Sequence, residues 1–197
     1  MAEWLDSVLP KGCPRNSGLA IARLTEERRI GRSGLTLTSP AFAPGEALDP
    51  CFTADEEDAV APPLEWTAPP PGTQEMVLVV EDASVSPPTL HWSVWGLAGQ
   101  RGKLLEGEVP PRVGKNSKKN SEWLLPALSA EDAEHHYVFQ LFALELPLTL
   151  MPGASAKDVF ASMEGQVSAA AVLTATYRST GGFDGDADGD WDNEDDD

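Results

Sequence analysis

Met76-Val77-Leu78-Val79-Val80-Glu81-Asp82 is five apolar residues in unbroken succession, closing on two acids. A strand with one wet face alternates apolar and polar residues. A continuous apolar run of this length belongs to a strand buried on both faces. At period two, Met76, Leu78, Val80 and Asp82 share one face. Asp82 therefore ends an apolar face, where a carboxylate is costly unless it is hydrogen-bonded or sits at a pocket mouth.

Working outward, four more stretches read as strands. Leu35-Thr36-Leu37-Thr38 alternates and stops at Ser39-Pro40. His91 to Leu97 is aromatic-rich, His135 to Leu146 is rich in aromatic and apolar residues, and Ala171 to Tyr177 closes the series. Pro-rich loops separate them, at Ala61-Pro62-Pro63, Pro69-Pro70-Pro71-Gly72, Pro87-Pro88 and Pro110-Pro111. One helix is well signalled. It follows Pro152-Gly153, has Ser155 as its cap with Asp158 three residues on, and carries Val159, Phe160, Met163 and Val167 at helical spacing. The chain has 197 residues, enough for one sizeable core. Its 17 Pro and 17 Gly point to many turns and short strands. The fold class is mainly β with a few peripheral helices.

Residues 1–33 read as an N-terminal helical extension, with Trp4, Leu5, Val8 and Leu9, then Leu19 and Ala22, at helical spacing. Arg23, Arg28, Arg29 and Arg32 make it the least acidic part of the chain. Such a helix suits a membrane surface or a partner, or it packs on its own domain, the expectation adopted here. Residues 34–178 form the β domain. Residues 179–197 are Gly and Asp with little to bury, and are expected to be a disordered acidic tail.

The formal net charge is −18; nine acids in the last fourteen residues account for half of it, since −18 + 9 = −9. Such a surface repels phosphate backbones, which argues against nucleic acid as a partner. No stretch of 18 apolar residues exists to span a membrane, and the N-terminus does not read as a signal peptide. A cytoplasmic location follows as an expectation, and Cys13 and Cys51 are expected as reduced thiols.

Three histidines are present, all beside aromatics at strand starts. His91, Ser93 and Trp95 should face one way, with Trp92 and Val94 opposite. His135, Tyr137 and Phe139 should share a face, with His136 opposite. Should Asp82, His91, His135 and Tyr137 converge, they would offer several hydrogen-bond donors and one carboxylate to orient the imidazoles, a set suited to a small anion. Unrelated histidines at sheet edges are the plainer alternative.

The ordered series Ser39-Pro40, Pro62-Pro63-Leu64-Glu65-Trp66, Val79-Val80-Glu81-Asp82, His91-Trp92, His135-His136-Tyr137-Val138-Phe139, Met163-Glu164-Gly165 and Tyr177-Arg178 resembles the phosphatidylethanolamine-binding proteins, in particular their bacterial branch of Raf kinase inhibitor-like proteins. The match spans roughly residues 34–178. The resemblance implies a Greek-key β-sandwich with a small pocket at one sheet end that binds phosphate-like anions. It places the family's pocket Asp on Asp82, its two pocket histidines on His91 and His135, and its pocket Tyr on Tyr137. Pro126 and Trp92 complete the expected ligand-binding residues. Animal members of the family inhibit kinases, so a protein partner is a further expectation.

The departures are specific. The family's Asp-Pro-Asp-Ala-Pro stretch reads Asp82-Ala83-Ser84-Val85-Ser86, its His-Arg-Tyr reads His135-His136-Tyr137, its paired prolines read Leu128-Ser129, and its Tyr-Thr-Cys reads Phe52-Thr53-Ala54. The missing Asp and missing Arg fit one linked change, because a buried acid that loses its cation is expensive.

The function expected is non-enzymatic binding of a small anionic ligand or phosphorylated head group, without metal or cofactor. The alternatives are an interaction or inhibitor module with a vestigial pocket, and a weak hydrolase. For the last, Ser84, Ser93 and Ser129 are the candidate nucleophiles, but no Gly-x-Ser-x-Gly elbow exists. Asp184 to Asp195 has the oxygen spacing of a calcium loop, though Asp195 stands where a bidentate Glu is usual. Lys115, Lys118 and Lys119 form a small basic loop, expected to be solvated.

Overall fold

The computed structural model describes residues 3–179. In chain order the elements are α1 (Leu5–Val8), α2 (Ala20–Leu24), β1 (Leu37–Thr38), β2 (Leu64–Trp66), β3 (Glu75–Asp82), β4 (Thr89–Ala98), β5 (Gly102–Leu104), β6 (Arg112–Val113), β7 (His135–Leu144), α3 (Ala156–Met163) and β8 (Val167–Tyr177). Two antiparallel sheets form, of order β1-β2-β5 and β6-β4-β3-β7-β8. Within the larger, β7 returns by a long connection to lie beside β3, which gives the Greek-key order β7-β3-β4-β6. The fold is the mainly β sandwich that the sequence suggests.

All eight residues of β3 are buried, as its apolar run requires. Its two faces feed two cores. Met76, Leu78 and Val80 join Leu37, Leu64, Trp66, Phe139, Leu141 and Leu173 between the sheets. Val77 and Val79 join Leu5, Leu19, Ile21, Phe142, Val159 and Met163 under the helices. Cutting Leu78 or Phe139 to Ala would cost about 2–5 kcal/mol, since both side chains are fully buried.

The helix at residue 156 starts where its cap predicts, with Ser155 Oγ accepting from the Asp158 amide at 3.2 Å. It ends at Met163, earlier than the spacing through Val167 suggests. Gly165 takes φ +73°, which breaks the helix, and Val167 opens β8 instead. That strand begins four residues before Ala171. Its alanines take strand geometry because the chain lies tight against them: Gly31, Gly45 and Leu48 donate to the carbonyls of Ala170, Thr174 and Thr176 and cover the edge.

α2 is docked by its own free amides. Ala20 N–H donates to Glu81 Oε2 at 2.8 Å and Ile21 N–H to Gln140 Oε1 at 2.6 Å. Gln140 also donates to Glu81 at 2.8 Å, so the sheet supplies the cap that Leu19 lacks. The basic residues nearby serve the same surface. Arg23 lies over the Phe160 ring at 5.3 Å, while Arg29 and Arg32 donate to the carbonyls of Val167 and Ser168. Cys13 is buried, Cys51 half-buried, and both are free thiols.

Candidate functional site

β3 and β7 run antiparallel with Asp82 opposite Tyr137, and β7 pairs with β8 with His135 opposite Tyr177. This register brings the carboxylate, an imidazole and two phenols to one end of the larger sheet. His135 Nδ1 lies 2.6 Å from Asp82 Oδ2. Asp82 Oδ1 accepts from the Ser84 amide at 2.8 Å, so both carboxylate oxygens are engaged.

His91 reaches the same place by a route that period-two reading misses. β3 and β4 shift register between Val80/Trp92 and Glu81/Leu90, so His91 is the extra residue of a β-bulge. Leu90 faces the helices, Trp92 the inter-sheet core, and His91 packs edge-on to Tyr137, also on the inter-sheet side, with ring centroids 5.0 Å apart. The expected face shared with Ser93 and Trp95 is thus corrected: the bulge turns His91 towards Tyr137. His136 lies on the opposite face, as period two predicts, close to Gly12.

The loop after β6 supplies the remaining wall. Ser117 N–H donates to Leu90 O at 3.0 Å and Leu124 N–H to His91 O at 3.0 Å, stitching the loop to β4. Inside it Asn116, 2% exposed, donates to Asn120 Oδ1 and Glu122 O and accepts from the Lys118 amide. The lysines expected as a solvated basic loop therefore ride on a buried asparagine staple. The loop delivers Trp123, which stacks on Phe139 and stands 6.1 Å from His91, and the Leu124 carbonyl, 2.6 Å from His91 Nδ1.

These contacts set the protons. Leu124 O can only accept, so His91 Nδ1 carries hydrogen and Nε2 is left with a lone pair in the neutral ring. Burial, ahead of every other influence, pushes the His91 pKa below its usual 6.5; the Leu124 bond and the Asp82 charge offset part of that. Burial and the Asp82 charge raise Tyr137, which keeps its proton. Among the described residues its hydroxyl has no hydrogen-bond partner. No Ser or Cys side chain among them bonds to His91 or His135.

Four predicted residues, Asp82, His91, His135 and Tyr137, thus come together. Trp92 makes its ring contact with Trp123 instead, at 5.7 Å, and Pro126 is buried with its carbonyl bonded to the Ala54 amide at 2.9 Å. Tyr177, whose hydroxyl donates to Asp55 at 2.8 Å, and the Leu124 carbonyl were not singled out by sequence. A Tyr177-Arg178 signal existed for the first; a backbone carbonyl leaves none. The calcium-loop segment lies outside the described residues, and among those described no group of three acidic, His or Cys side chains is placed to hold a metal ion. No described helix is long and apolar enough to cross a membrane.

Comparison with known proteins places this geometry. A Mycobacterium tuberculosis protein named as a candidate lipoprotein, LppC, is 34% identical over 149 residues, covering 73% of this chain and 72% of LppC. A UPF0098 protein of Aquifex aeolicus is 31% identical over 156 residues, covering 75% of this chain and 91% of its own. The crystal structure of a candidate phosphatidylethanolamine-binding protein homologue from Chlamydia trachomatis matches with TM-score 0.68 and 28% identity, covering 74% of this chain and 97% of that one. E. coli YbcL shares the fold, with TM-score 0.66 over 74% of this chain and 98% of its own. The model of the phosphatidylethanolamine-binding protein family matches residues 38–178, from β1 to the end of β8 and across every residue of the Asp82 cluster, and the chain belongs to that family, with bacterial relatives.

Proposed function

We propose that the Asp82–His91–His135–Tyr137 cluster binds a small anion, the phosphate or similar head group of a larger ligand, and that the protein works by binding rather than by turnover. The observation that carries this reading is the His135–Asp82 contact at 2.6 Å beside the buried His91–Tyr137 pair. Asp82 orients His135 so that its Nε2 faces away from the carboxylate. His91 is oriented in the same way by Leu124 O. Each ring donates to an anion when protonated, and Tyr137 adds a hydroxyl that nothing else in the described structure uses. Among the described residues no serine or thiol is bonded to either imidazole, so none is activated there as a nucleophile.

Calorimetric titration of the protein with inorganic phosphate tests the reading. His135→Ala should weaken binding by about tenfold or more, the worth of a charged hydrogen bond. Unchanged affinity removes His135 from the site. Absence of ester or phosphoester turnover in the same preparations is expected; turnover abolished by His135→Ala would favour a hydrolase. We further propose a cytoplasmic location, and cell fractionation decides between that and the membrane-anchored state that the name of the LppC relative suggests for that protein.

A further inference from the structure

One residue from Asp82 the surface opens into a groove of about 350 Å³ between residues 14–17 and 83–86, lined by Pro14, Arg15, Asn16, Ser17 and by Ala83 to Ser86. The groove is built, not incidental. Asn16 Nδ2 donates to the carbonyls of Ala83 and Val85 at 3.2 and 2.6 Å, pinning one wall to the other. Gly18 follows because a Cβ there would come within 2.7 Å of Pro88. Arg15 is held in turn: Nε donates to Asp6 at 2.6 Å, and Nη1 to the carbonyls of Pro10 and Cys13. Its Nη2 has no acceptor among the described residues.

The side chains that line the groove favour an anion, although Arg15 is already paired with Asp6. Ser84 Oγ accepts from the His136 amide at 2.8 Å, which leaves its O–H to donate outward. Ser17 and Ser86 hydroxyls have no acceptor among the described residues. Arg15 adds a permanent charge, and no Asp or Glu lines the groove, in a chain of net charge −18. The imidazole cluster next door has no permanent cation of its own. The two places share a wall, since Ser84 lines the groove and its amide holds Asp82. The buried Cys13 thiol lies in the field of both Arg15 and Asp82.

We propose that this groove is a second anion subsite with Arg15 as its cation, so that the ligand carries two anionic groups: one at the imidazole cluster, one at Arg15 and the serine hydroxyls. The two-group part rests on the binding function proposed above. A planar guanidinium with a free edge suits a phosphate or carboxylate. Its three existing bonds mean that little side-chain freedom is lost on binding.

The probe is inorganic pyrophosphate against inorganic phosphate, by calorimetry on the full chain at low ionic strength. Wild type should prefer pyrophosphate by about tenfold or more. Arg15→Gln should remove that preference. Asp6→Asn is the discriminating variant. It removes the competing carboxylate while the Pro10 and Cys13 carbonyls still hold the guanidinium, so pyrophosphate affinity should rise. If Arg15 served only to anchor residues 6–15, both variants would weaken binding alike, and that result overturns the proposal. So does an Arg15→Gln protein that binds pyrophosphate as wild type does. Phosphate bound in a His135-dependent way, with no pyrophosphate preference, sinks the groove and leaves the first site standing. Arg15-dependent pyrophosphate binding without any effect of His135→Ala sinks the first site and leaves the groove as an anion site of its own.

Discussion

The proposed anion site has one sharp consequence: binding of an anion at His91 takes up protons. His91 has one nitrogen committed to the Leu124 carbonyl at 2.6 Å, and that nitrogen carries hydrogen. The other nitrogen repels an anion until it too is protonated. Sulfate is the clean probe, because it brings no proton of its own near neutral pH. The free site holds His91 below its usual 6.5, so above that pH the empty site is neutral at His91. Sulfate binding there requires at least one proton per anion. The affinity then falls about tenfold per pH unit, or about 1.4 kcal/mol. The direction follows from linkage: the bound anion raises the histidine pKa, so affinity is greatest at low pH and is lost as pH rises.

Calorimetry of sulfate binding between pH 6.5 and 8, repeated in buffers of different ionisation enthalpy, reads the slope and the proton count together. Phosphate should lose less affinity over the same range, because its own O–H can donate to the Nε2 lone pair. His91→Gln should reduce the sulfate slope by one proton. A sulfate affinity constant within twofold from pH 6.5 to 8, with no proton uptake, would show that the imidazoles do not face the anion, and the tautomer argument would fall with it.

Other expectations are independent of that one. Tyr137→Phe removes a hydroxyl without a described partner, so thermal stability should change by less than about 1 kcal/mol while phosphate affinity drops several-fold; equal affinity would place the hydroxyl outside the site. Asn116→Ala strands three partners of a buried side chain and should cost about 1–3 kcal/mol in urea unfolding, with phosphate binding weakened because Leu124 and Trp123 lose their support. Glu81 has its pKa raised above 4.5, chiefly by burial, with the Gln140 and Ala20 hydrogen bonds and the Arg23 charge opposing. The native state therefore holds that proton to higher pH than the unfolded chain, so the Glu81 contribution is most favourable below about 4.5 and declines as pH rises through the native value. Glu81→Gln keeps the acceptor for Ala20 and should flatten the stability–pH curve between pH 4 and 8; a curve parallel to wild type would rule that out.

What the sequence disclosed follows from how many residues vote on a feature. β3 was legible because five consecutive apolar residues can only be buried on both faces, and the two cores on either side of it confirm the reading. The faces of His135, Tyr137 and Phe139 were legible because β7 is regular through that stretch. His91 was misplaced because a bulge is a property of two strands in register, and neither strand announces it alone. The helix end was misplaced because Val167 continues the apolar spacing while one glycine with positive φ decides the break. The strands β2, β5 and β6, of two or three residues each, are too short for any periodicity, whereas β1 falls within the alternating residues 35–38. The Leu124 carbonyl, which sets the His91 tautomer, is invisible in principle, since every residue carries one.

The proposed anion site, beside a carboxylate in an acidic chain, looks contradictory until the hydrogen bonds of Asp82 are counted. One oxygen is held by His135 and the other by the Ser84 amide, so neither oxygen is left to meet a ligand. In the proposed binding mode the far nitrogen of His135 meets the anion, and the acid that would repel it is the group that orients that ring. Replacing Asp82 by Asn would therefore weaken anion binding although it removes a negative charge. Simple electrostatics of the net charge predicts the opposite, and phosphate titration of Asp82→Asn at low ionic strength separates the two: tighter binding would mean that Asp82 acts on the anion directly and not through His135.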